Sequence, residues 1–217
     1  LAASRKFTEI AETFAGFDSR DTVDHAALRA GELLSSSAAK GSIREEKAAE
    51  KYESLTFRRI GEAAGLLRTS ERPVAVGELR HLLGVDDAMR RRDAGGIGGA
   101  AGARALAAIQ VQLGVYLAQD FFAANDYRRA VPALHLMTEI FPDNSFMLYN
   151  LACAQARSGL PEAALSSLAK ALEHGLRQPL QMATDADLAS LRDRPEFAAL
   201  LEQAKLLDSP QDAGPAP

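Results

Sequence analysis

The sequence predicts an all-α protein, on three observations. Apolar residues recur at intervals of three and four through most of the chain, the spacing of one face of a helix. Aromatics make up only 6% of 217 residues and tryptophan is absent, so the core is built from the small and medium aliphatics that packed helices use. Helix-starting residues precede these runs, and glycines or prolines close them. At 47% hydrophobic and 25% charged residues the chain is composed to fold, and it is long enough for one large domain or two small ones.

Taken in order, Phe7, Ile10, Ala11, Phe14 and Phe17 mark a first helix that ends near Gly16. Asp21 or Thr22 caps a second, whose apolar positions include Val23, Ala26, Ala30 and Leu34, and which stops at Ser35 to Ser37 and Gly41. Ser42 followed by Glu45 reads as a capping box that opens a long helix to about Thr69, with Ile43, Tyr52, Leu55, Ile60, Ala63 and Leu67 as its buried stripe. Pro73 breaks the pattern, and a short helix from about Glu78 to Leu83 stops at Gly84. Five glycines fall within residues 93–102, which reads as a mobile linker and a domain boundary. The expected division is therefore an irregular helical region over 1–92, the linker at 93–102, paired helices over 103–207, and a tail at 208–217 that is disordered by composition.

Basic residues number 25 and acidic residues 29, for a net charge of −4 and a pI near 5.6. No bulk attraction to nucleic acid or to an anionic membrane follows from that balance. A single cysteine, Cys153, excludes an internal disulfide and a cysteine-rich zinc site, and no run approaches the roughly 18 apolar residues that cross a bilayer. Leu1 to Lys6 has no signal-peptide pattern, so the chain is expected to be a fragment of a longer protein.

Laid on itself so that Ala130 meets Ala164, the chain also matches Leu117-Ala118 with Leu151-Ala152, Asn125 with Gly159, and Leu134 with Leu168. That offset is the tetratricopeptide period of about 34 residues. Both units resemble tetratricopeptide repeats. The second carries Leu148, Leu151-Ala152, Gly159, Ala164 and Ala171; the first carries Leu117-Ala118, Phe121, Ala130, Leu134 and the closing Pro142. The first departs from the family pattern at Gly114, where a bulky residue is usual, and at Pro132, tolerable only near the first turn of a helix. In the second, Gln155 replaces a tyrosine and Leu176 the closing proline. Asp185 to Leu201 resembles the segment that often closes such arrays in bacterial proteins, covering the apolar face that stacked units leave open. The resemblance, which spans residues 103–207, implies a helix-turn-helix solenoid with irregular N-terminal helices.

Groups that could do chemistry are scattered. His25, His81, His135 and His174 lie far apart and read as surface or capping residues, and Ser35 to Ser37 lack the flanking glycines of a nucleophile elbow. Gly96, Gly98 and Gly102 lack the preceding strand of a dinucleotide loop, and Arg90 to Arg92 read as a basic helix end. Tyr149, Cys153 and Arg157 share a helix face at successive turns. In the family that face lines a concave groove for peptides, which Phe146, Gln112, Val115, Gln119 and Phe122 would flank. The alternative for Tyr149 and Cys153 is packing against the N-terminal helices. The lysine and asparagine pairs of chaperone-tail-binding repeats are not matched. The reading is a noncatalytic scaffold with no cofactor or metal, binding a protein or peptide on a helical face. Its alternative is a C-terminal docking or dimerisation part of a larger enzyme whose catalytic domain, a hydrolase or peptidase, lies upstream.

Overall fold

A computed structural model describes residues 37–208, and every regular element among them is helical. The first two predicted helices, the tail after Asp208 and His25 lie outside the described residues. Helix α1 spans Ser37–Thr69. It runs straight through Gly41 and Ser42, so the capping box expected at Ser42 is not a helix start. Its stripe, Ala49, Tyr52, Thr56, Ile60, Ala63 and Leu67, is buried, and such packing outweighs one glycine. Pro73 follows, then α2, Val76–Leu83, which ends where Gly84 takes the left-handed conformation (φ 67°) and its N–H meets the carbonyls of Arg80 and His81.

The expected linker is instead a tight helical hairpin. Helix α3 spans Val85–Ala94 and α4 spans Gly96–Ile109, with Gly95 and Gly96 at positive φ (72° and 66°) turning the chain between them. Gly99 and Gly102, one turn apart, lie against α3. A Cβ on Gly102 would sit 2.5 Å from the Ala88 carbonyl oxygen and 2.7 Å from the Arg92 nitrogen. The glycines thus permit close backbone approach. Arg91 stacks over the Tyr52 ring at 4.2 Å and bonds Asp87 at 2.8 Å, while Arg92 pairs with Asp93, so this basic helix end is engaged within the fold.

From Gln110 to Leu117 the helix widens to π geometry before returning to α5, Ala118–Ala123. Ion pairs Glu53–Arg104 (2.6 Å) and Arg68–Asp120 (3.0 Å) show that α1 and this run lie parallel. The step from Arg104 to Asp120 is one position longer than the step from Glu53 to Arg68.

Helix α6 spans Tyr127–Ile140, α7 Ser145–Arg157 and α8 Pro161–Glu173. The boundaries recur at the predicted offset: from the start of α6 at Tyr127 to the start of α8 at Pro161, and from the end of α5 at Ala123 to the end of α7 at Arg157. Asn125 (φ 55°) and Gly159 (φ 77°), at the same offset, make the left-handed turns between partners. Pro132 stands in the second turn of α6 rather than the first, and the helix continues through it. Helix α9 (Pro179–Thr184), a 3₁₀ turn over Ala186–Leu191 and α10 (Pro195–Leu207) complete the described chain.

Two apolar cores result. One runs from Ala49 to Ala154 without a break at 93–102; the other runs from Leu148 to Ala204. The glycines expected as a linker thus lie within paired helices, and α7 contributes to both cores. That helix gives Met147, Leu151 and Ala154 to the first core and Leu148, Tyr149, Ala152, Cys153 and Ala156 to the second, so it is apolar nearly all round.

Candidate functional site

The face predicted to bind a partner begins with Tyr149, Cys153 and Arg157 on α7, aligned at successive turns as the spacing requires. The chain's own Asp185 to Leu191 lies across it. Tyr149 donates its hydroxyl hydrogen to Asp185 Oδ2 at 2.7 Å, and Cys153 Sγ approaches the same oxygen at 3.9 Å. Asp185 Oδ1 accepts from the Asp187 N–H at 2.9 Å, which caps the 3₁₀ turn and fixes the carboxylate. Leu188 and Leu191 then close over the core with no exposed surface.

A second carboxylate completes the cover. Asp187 Oδ1 accepts from the Tyr127 hydroxyl at 3.1 Å and lies 3.6 Å from Arg157 Nε. The Arg157 guanidinium sits 4.8 Å from the centre of the Tyr127 ring, and Phe122 meets that ring edge-on at 5.0 Å. These pairs draw α6, α7 and the closing segment into one polar seam above an apolar layer.

The seam suppresses reactivity. Burial, and then the bond to Asp185, pushes the Tyr149 phenol well above its ordinary range. Burial, and then the negative charges of Asp185 and Asp187, does the same to the Cys153 thiol. A thiol held protonated is a poor nucleophile.

The predicted partner-binding residues therefore separate. Tyr149 and Cys153 are 3% and 2% exposed, so the open groove expected at their turn of the helix is filled. Among the described residues that cover includes Asp185 to Leu191 of the C-terminal segment. Phe122 is partly buried against Tyr127, and Arg157 is exposed beside Asp187. Gln112, Gln119 and Phe146 remain exposed, Phe146 at 60%.

Two further residues join the exposed set, and the sequence reading passed over both. Phe57 on α1 is 58% exposed and Tyr116 in the π segment 57%. Phe57 stands one turn beyond Glu53 and Tyr116 one turn before Asp120, so both lie along the seam that the two ion pairs bracket. Gly61, one turn after Phe57, has open space where a Cβ would stand. Phe146 shares a surface hollow with Gln110, at the start of the π segment. The signal that could have found Phe57 was its position outside the α1 stripe.

No cluster of three or more His, Cys, Asp or Glu among the described residues could hold a metal ion, and His81, His135 and His174 are exposed. No helix among them is long and apolar enough to cross a membrane. Comparison with known proteins found no matching family model, no matching curated protein and no matching solved structure.

Proposed function

We propose that this chain is a noncatalytic interaction scaffold of tetratricopeptide type that holds a protein or peptide partner on its exposed aromatic strip. Its anchors are Phe57, Tyr116 and Phe146, with the exposed Gln112 and Gln119 on the same helical run as Tyr116. The observation that carries the reading is the exposure of one large aromatic on each of three helical runs, where the other apolar bulk among the described residues is mostly buried. Rigid aromatics with two side-chain torsions bury much area at small entropic cost, which makes them common binding anchors. The recurrence of helix boundaries and left-handed turns at one offset supports the repeat assignment. Burial of Tyr149 and Cys153 moves the binding surface off their part of α7 and toward α1 and the π segment.

The test is selection of displayed peptides on the immobilised protein, followed by rebinding to a Phe57→Ala, Tyr116→Ala, Phe146→Ala triple variant. All three side chains are more than half exposed, so the variant keeps its helical circular dichroism. Enriched peptides that bind wild type and lose at least tenfold affinity for the variant support the reading. Peptides that bind both equally would sink it.

A further inference from the structure

Phe57 and Tyr116 belong to one surface. On α1, Glu53, Phe57, Gly61 and Gly65 follow one another at single-turn intervals, so they form one line along the helix. Ion pairs join this line to the neighbouring run at both ends, Glu53 with Arg104 and Arg68 with Asp120. One turn back from the second pair stand Gly65 on α1 and Tyr116 on its neighbour. A Cβ added at Gly61 or Gly65 would meet no other element within 4 Å, so the surface is low beyond the Phe57 ring. Both aromatic residues are more than half exposed, and no described element covers them.

Two segments lie outside the described residues, and they differ in what they can bring to that surface. Residues 209–217 hold no aromatic residue and no Leu, Ile, Val or Met. The N-terminal segment holds Phe7, Ile10, Phe14 and Phe17 at intervals of three and four, which a helix presents as one stripe. Three of the chain's nine phenylalanines are in that stripe, so the aromatic bulk that can meet Phe57 and Tyr116 is at this end.

The N-terminal segment also joins the surface directly, because it ends where α1 begins at Ser37. Phe57 stands as many residues after Ser37 as Phe17 stands before it. At about 1.5 Å per helical residue each span is about 30 Å, and an extended residue covers about twice as much, so a stripe folded back along α1 reaches the level of Phe57. The tether holds it at a local concentration on the order of millimolar. Undocked, four large apolar side chains and two aromatic rings all face water; docked, they cover one another.

We propose that the Phe7 to Phe17 stripe docks on the Phe57 and Tyr116 surface of its own chain. It thereby regulates the partner site, a consequence that rests on the aromatic strip being the partner-binding surface. A partner has to displace the stripe. If the free segment binds with a Kd on the order of tens of micromolar, its millimolar local concentration weakens an outside ligand at the same surface by roughly ten- to a hundredfold.

The test uses full chains and one probe, a fluorescein-labelled peptide of Leu1 to Asp21, read by fluorescence anisotropy. In a chain carrying Phe7→Asp, Phe14→Asp and Phe17→Asp the internal stripe is disabled, and the probe is expected to bind saturably. Wild type should bind it at least tenfold more weakly, because its own stripe holds the surface. Adding Phe57→Ala and Tyr116→Ala to the disabled chain should remove binding. Protection of the buried Cys153 from a thiol reagent shows that each variant is folded; where the triple variant loses it, Phe14→Asp alone takes its place with a smaller gain in affinity. No saturable binding to the disabled chain, equal affinity for it and wild type, or indifference to Phe57→Ala and Tyr116→Ala would each overturn the proposal. So would a wild-type dimer in light scattering that the three aspartates dissociate, since that places the stripe on a second copy. The two readings fail separately: displayed peptides that ignore the aromatic residues sink the scaffold and leave the docking, whereas a probe that ignores them sinks the docking alone.

Discussion

The two helix pairs of the repeat-like region share a frame and distribute bulk in opposite ways. In the first, Gly114 faces Met137; in the second, the equivalent positions are Leu148 and Ala171. A Cβ on Gly114 would lie 2.7 Å from Met137 Cγ, and Met147 Sδ stands 3.5 Å away, so the methionines occupy the volume that a side chain at 114 would need. Leu148 and Ala171 are 4% and 0% exposed, the large residue now on the leading helix. Interiors are packed near crystal density, so what is fixed at such a contact is the summed volume rather than the identity at either position. At the first pair the missing side chain at Gly114 is thus matched by the bulk of Met137. The pairs differ also in cover: the second is sealed by Asp185 to Leu191, while the first leaves Tyr116 and Gln119 to solvent.

The seal of the second pair offers the largest effect. Asp185→Ala strands the buried Tyr149 hydroxyl and uncaps the 3₁₀ turn, and should lower unfolding free energy by about 2–4 kcal/mol in urea titrations. Cys153 should then react with a thiol reagent in the folded state, whereas in wild type, where it is buried, reaction is expected only on unfolding. A variant within about 0.5 kcal/mol of wild type, the level of ordinary surface substitutions, would mean that the cover is incidental.

Next in size is Gly102→Ala in the α3–α4 hairpin. Its Cβ would meet backbone atoms at 2.5 and 2.7 Å, which cannot rotate away, so a loss of about 1–3 kcal/mol is expected in the same titration. Gly98→Ala, with open space around it, should be neutral or slightly stabilising through helix propensity. Equal effects at both positions would return this stretch to the mobile linker first expected.

A smaller effect concerns pH. The Cys153 thiol is raised from its ordinary 9.0 and the Tyr149 phenol from its ordinary 10.0, each first by burial. Above about pH 9 the unfolded chain releases these protons while the folded chain keeps them, so stability is full below that value and falls as pH rises. The urea midpoint should drop between about pH 8 and pH 10.5, and less steeply in a Cys153→Ala, Tyr149→Phe variant. Parallel slopes would contradict burial of the pair.

The offset at which helix ends recur was legible because it rests on local chemistry: left-handed turns at Asn125 and Gly159, and Ala130 and Ala164 buried on their helices. The alignment of Tyr149, Cys153 and Arg157 was legible for the same reason. What lies over that face was not, because Asp185 arrives from a later element and helix spacing carries no information about distant cover. At residues 93–102 glycine content outweighed position. Gly99 and Gly102 sit one turn apart, on one helix face, which is a packing signal that a count of glycines erases. The π segment has no compositional mark apart from Gly114.

The exchange of bulk is tested most directly by a double-mutant cycle on Gly114→Leu and Met137→Ala. Gly114→Leu alone should cost about 1–3 kcal/mol by overpacking, and Met137→Ala alone about 2–5 kcal/mol by opening a cavity. Combined, they recreate the Leu148 and Ala171 arrangement, so the double variant should be at least about 1 kcal/mol more stable than the sum of the two losses predicts. Simple additivity, or a combined loss larger than the sum, would contradict a common frame for the two pairs.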